Sequence, residues 1–196
     1  MGYALSWLAI KGKTVEAIHQ QLGLRTTGKL SDYGHALVVG RQLHSGWYLM
    51  VAKGCDHKLI SNVVVQHVSS NCTAIACSIE EHVMFSSTAE WNDGQQNWHI
   101  QHRGGDYGPT DLSFEGVPPE LFSDLRVHYG SKQDAEGGEK AEVDWIFEIP
   151  LELAKSYVGF KHDEDIPGVK DGSFEILELS REGLLATVSK PWWHVW

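Results

Sequence analysis

The chain has 196 residues, 42% of them apolar and 21% charged, with a formal charge of −10. That composition excludes the disordered and collagen-like classes and allows a sizeable core without staples. The charge is uneven: residues 1–99 carry seven acids and seven bases, whereas residues 100–196 carry nineteen acids and nine bases. So acidic a half repels a phosphate backbone, and nucleic acid is not an expected partner.

No run of 18 or more apolar residues occurs, so no membrane span is expected. In the opening stretch MGYALSWLAIKGK the basic residues follow the apolar run, which reads as a first strand and not as a signal peptide. Cys55, Cys72 and Cys77 are odd in number and form no CxxC. This argues against a disulfide framework and a cysteine-rich zinc site, and points to a cytoplasmic protein. Fingerprints of nucleotide, serine-hydrolase and zinc-protease sites are all missing, so no cofactor and no metal are expected.

In chain order, YALSWLAI (3–10) reads as a strand. Thr14 caps a helix whose Val15, Ile18 and Leu22 recur at helical spacing, and Gly23 stops it. RTTGKLSDYGH reads as loop. ALVVGRQL and GWYLMVAK form a hairpin around His44-Ser45-Gly46. DHKLISNVVVQHVSSN has Leu59, Ile60, Val63, Val64 and His67 at helical spacing, and a further strand, TAIACSI, follows. The order over residues 1–80 is then βαββαβ, which predicts a ferredoxin-like subdomain. The expected fold class is α+β. A ferredoxin-like subdomain over 1–81 packs tightly against a second mixed α+β subdomain over 82–196.

The second half opens with a hairpin, EHVMFSSTAEW and WHIQHR, around Asp93-Gly94. If all of NDGQQN is loop, Trp91 and Trp98 face each other across the strands. A short strand DLSFEG follows. Pro118-Pro119 introduces a helix with Leu121, Phe122, Leu125 and Tyr129 as its stripe. EVDWIFEIP alternates as a strand, with Val143, Trp145, Phe147 and Ile149 on one side. Pro150 starts a short helix, HDEDIPGVKDG is an acidic turn without EF-hand spacing, and SFEILEL is a late strand. TVSKPWWHVW reads as an edge strand interrupted by Pro191.

The run 73–91 holds the sharpest candidate. Read as one strand, it places Glu81 in the apolar register of Ile75, Cys77, Ile79, Val83 and Phe85. A carboxylate there needs a partner, a water or a function. Burial raises a carboxylate's pKa, as general acids require, but a structural anchor is the simpler role. His82 shares the other face with Glu80. His99 and His102 come back on the partner strand, three apart and therefore on opposite faces. Asp56 in Cys55-Asp56-His57 reads as a helix cap more simply than as part of a cysteine site.

Three functional readings follow. The first is a non-catalytic, acidic protein-protein interaction module that binds another protein or its own copy, through Trp192, Trp193 and Trp196 among others. The second is a small hydrolase in which Glu81, His82 and His99 or His102 converge in a cleft. The third is a small-molecule-binding protein with Trp98, Tyr107 and Trp145 lining a pocket between the subdomains.

Overall fold

The computed structural model describes residues 2–180 and 183–187. One nine-stranded sheet organises the chain. Its strands are β1 (Ala4–Lys11), β2 (Leu24–Ser31), β3 (Val38–Gln42), β4 (Tyr48–Lys53), β5 (Thr73–Glu80), β6 (Phe85–Asn92), β7 (Gln95–Arg103), β8 (Ser113–Gly116) and β9 (Phe174–Leu179). They lie in the order β2-β9-β3-β4-β1-β5-β6-β7-β8, and every neighbouring pair is antiparallel. The helices are α1 (Val15–Leu22), α2 (Asn62–Val68), α3 (Gly104–Tyr107), α4 (Glu120–Ala135), α5 (Glu148–Val158) and α6 (Leu184–Thr187).

The pleat explains the layering. Along β1, Leu5, Trp7 and Ala9 enter one core, and Leu8 and Ile10 the other. Ile18 and Leu22 of α1, Val64, Val65 and Val68 of α2 and Leu185 of α6 complete the second core. Phe122 of α4 and Ile149, Leu151, Leu153, Ala154 and Val158 of α5 complete the first. A sheet covered on both faces accounts for the nearly unbroken apolar run in β1.

The ferredoxin-like expectation is corrected by this sheet. RTTGKLS is β2, not loop, so the order over 1–80 is βαβββαβ. Late-sequence β9 also lies between β2 and β3. Nor does the pairing break at residue 81: β5 and β6 pair from Thr73↔Asn92 to Glu80↔Phe85. β2 escapes an alternation search because it is an edge strand whose side chains are mostly exposed.

The 73–91 run is a hairpin, not one strand. A 3₁₀ turn over Glu81–Val83 reverses it, with Met84 left-handed at φ 49°. The next turn is the tight one, Asp93-Gly94, at φ 48° and 75°, the doubly left-handed turn that Asp-Gly favours. Trp91 therefore faces Gln96 and Trp98 faces Glu90. The two indoles enter opposite cores and do not pair. EVDWIFEIP is not a strand: residues 142–147 form no strand, and α5 begins at Glu148 with Pro150 in its first turn, where the missing N–H costs nothing. Trp192, Trp193, Trp196 and the strand expected in the tail lie outside the described residues.

Candidate functional site

Glu81 sits in the 3₁₀ turn with its side chain 28% exposed, and both carboxylate oxygens are engaged. Oε2 accepts the Tyr3 N–H at 2.7 Å, while the Glu81 N–H donates to the Tyr3 carbonyl at 2.9 Å. Oε1 accepts from Nε2 of His162, at 2.8 Å. The His162 ring is buried, and the Tyr3 ring meets it edge-on at 5.1 Å. Glu81 thus ties the start of β1 to the loop after α5. Its neighbour His82 is exposed and bonds Glu80 at 2.8 Å.

His102 is fully buried on the α5 face of β7. Nδ1 lies 2.6 Å from the Asp111 carbonyl, which can only accept, so Nδ1 carries a proton. Nε2 lies 2.8 Å from Oδ2 of Asp144. Oδ1 of Asp144 accepts the Phe147 N–H at 3.2 Å, at the entrance to α5. Gly104 makes this possible: a Cβ there would stand 2.7 Å from Nε2 and would also strike Oδ2. With both ring nitrogens committed, His102 has no free nitrogen for a substrate proton.

His99 points the other way. Across β6, β7 and β8 the Cα partners Ala89, His99 and Glu115 form one row, and Ser87, Gln101 and Ser113 the next. The helix layer on this face is anchored mainly on β1, β2 and β5, and small side chains occupy the sheet beside it. The result is a groove of about 350 Å³ with Ala76, Ser87 and Ala89 at its base. Ile60, Asn62, Trp91, Gln96, His99 and Glu115 form its walls. Burial pushes the His99 pKa below the ordinary imidazole value, and the Glu115 charge opposes that shift. The ring has no hydrogen-bond partner among the described residues.

The proposed hydrolase residues therefore do not converge. Glu81 is bound to His162, His82 to Glu80 and His102 to Asp144, while His99 occupies the opposite face of the sheet from His102. Cys55 is no alternative nucleophile. Burial first, then the charges of Glu80 and Asp56, raise its pKa and favour the unreactive thiol. Trp98, Tyr107 and Trp145 share no pocket either. Trp98 is buried against Tyr157 at 5.9 Å. Tyr107 is exposed, with the Arg103 guanidinium 4.2 Å over its ring. Trp145 is half-buried under the Lys132 ammonium at 4.5 Å. Among the described residues no group of three or more His, Cys, Asp or Glu side chains is placed to hold a metal ion, and no helix is long and apolar enough to cross a membrane.

Sequence reasoning reached His99 but missed Glu115, Gln96 and Asn62. One signal was present: His99, Gln101, Ser113 and Glu115 make a polar parity on adjacent strands. It could be recognised only once β8 was set in register with β7. The partners His162 and Asp144 carried no signal, because they lie 81 and 42 residues from the groups they bind. No protein family, curated protein or solved structure matches this chain.

Proposed function

We propose that the chain is a small-molecule-binding protein whose site is the groove beside His99. One observation carries the reading: a half-buried imidazole, without a protein partner among the described residues, lines a cavity large enough for a ligand and flanked by further polar groups. The site differs from the aromatic pocket expected between subdomains. It is framed by strands β5–β8 and the start of α2. Binding without turnover is favoured because Glu81, His82 and His102 are each held by a structural partner, which leaves His99 without any of them as a catalytic companion. The test is an NMR fragment screen of the ¹³C,¹⁵N-labelled chain. Hits should shift the His99 and Trp91 resonances together, and Ser87→Leu, which fills the base, should abolish the shifts while leaving the circular dichroism unchanged. Hits that cluster elsewhere and leave His99 unmoved would refute the site.

A second reading, an interaction surface for a basic protein, is favoured by an exposed apolar strip at the free edge of β8. Val117 is 83% exposed and Phe114 48%, in the half of the chain that holds the whole acidic excess. Val117→Asp tests it with cytochrome c as a basic probe. Weaker binding despite the added negative charge supports an apolar contact; stronger binding reduces the attraction to bulk charge.

A further inference from the structure

The groove's lining narrows the chemical class of its ligand. Among the described residues Glu115 is the only acid on its walls, and no lysine or arginine lines it. His99 is biased toward its neutral form by burial. The remaining polar groups are the amides of Asn62 and Gln96 and the hydroxyl of Ser87, each able both to donate and to accept. Trp91, Ile60, Ala76 and Ala89 supply apolar surface beside them.

A hydroxyl group also donates and accepts, so a ring bearing several hydroxyls matches amides, imidazole and carboxylate with no partner left over. The C–H side of such a ring matches the apolar surface. A phosphate or carboxylate meets the opposite situation: it must shed water near Glu115 with no lysine or arginine among the described lining residues to receive it. At ~30 Å³ per water the cavity holds about a dozen waters, or one sugar ring with substituents.

We infer that the groove takes a saccharide-class ligand, a neutral or amino-bearing polyhydroxylated ring, and discriminates against anionic ones, with Glu115 as the residue that sets this preference. The assignment rests on the groove being the ligand site. On this reading His99 and the amides position hydroxyls, and Glu115 accepts from a hydroxyl or an ammonium.

The test uses the full chain, NMR detection at the His99 ring, and two libraries of equal size. One holds monosaccharides and amino sugars; the other holds sugar phosphates, uronic acids and aromatic carboxylates. Members of the first should bind. An amino sugar should bind about fivefold more tightly than its neutral counterpart, the ratio given by a partly exposed ion pair worth ~1 kcal/mol. Glu115→Gln, a change at an exposed strand position, should erase that ratio, because the amide oxygen still accepts from a hydroxyl but offers an ammonium no charge. Anionic members that shift His99 in preference to sugars, or an amino-sugar preference that survives Glu115→Gln, would overturn the ligand class and leave the groove as the site. Failure of every member of both libraries to shift His99 would overturn both readings.

Discussion

Replacing Asp144 with alanine tests whether the His102–Asp144 pair is structural. The substitution removes the acceptor opposite a ring that is 0% exposed, and also the acceptor of the Phe147 N–H that starts α5. A buried polar atom left without its partner, donor or acceptor, costs about 1–3 kcal/mol. Losing a bond at a helix entrance costs a further ~1 kcal/mol. The expected loss is therefore about 2–4 kcal/mol, which at 2–4 °C per kcal/mol for a chain of this size lowers Tm by roughly 4–16 °C. Asp144→Asn keeps an oxygen for Phe147 and an amide N–H for a neutral Nε2, so it should lose at least ~1 kcal/mol less. Urea unfolding followed by tryptophan fluorescence measures both variants. A loss below ~1 kcal/mol for Asp144→Ala would mean that the ring does not depend on this partner. Equal losses for the two variants would show that net charge, and not hydrogen-bond satisfaction, governs the pair.

Further outcomes are expected at His99, Lys161 and Glu81. His99 should titrate below the ordinary value near 6.5, and Glu115→Gln should lower it further because it removes the one charge opposing burial; its ring carbon shifts report both. Because the folded ring resists protonation, stability from this residue should fall as pH drops through 6.5, and a pH series of urea midpoints checks the sign. Lys161, 8% exposed among Glu148, Glu152, Asp163 and Glu164, has its pKa raised: burial opposes the shift, but the Glu148 and Glu152 contacts outweigh it. Lys161→Met should cost about 1–3 kcal/mol at neutral pH, discounted for the partly exposed carboxylates. The wild-type advantage should be full below pH 10.5 and disappear as pH rises through the folded pKa. Finally, Glu81→Ala removes the acceptor of the Tyr3 N–H, so hydrogen exchange at that amide should speed up by about tenfold or more while β4 amides stay protected.

Much of the local structure was legible because its signals are local. Thr14 and Gly23 bracket α1, and Asp93-Gly94 gives the β6–β7 turn without tertiary help. Three things were not legible. β2 is polar because an edge strand has little to bury, so its composition imitates a loop. Residues 142–150 alternate like a strand, yet residues 148–150 open α5, whose Ile149 and Leu153 bury one helical stripe, a choice made by the sheet beneath. Glu81 read as a charge in an apolar register only because periodicity continues through a short 3₁₀ turn without a gap. The candidate site has the same history. His99 was visible as a residue type, whereas the walls around it come from separate elements whose register only the folded sheet determines.

The placement of β9 bears on how the chain acquires this sheet. Among the described residues β2 bonds with no strand but β9, and the side-chain bonds between the two span 149 and 153 residues of sequence. During synthesis, β2 and the outer edge of β3 must therefore wait with open backbone groups while most of the chain is made. The closing step joins segments at large sequence separation, a topology that slows folding. Charge on the waiting segment, Arg25 and Lys29 among its few side chains of any size, then has a protective sense: it discourages pairing with a neighbouring nascent chain until the proper strand slides in.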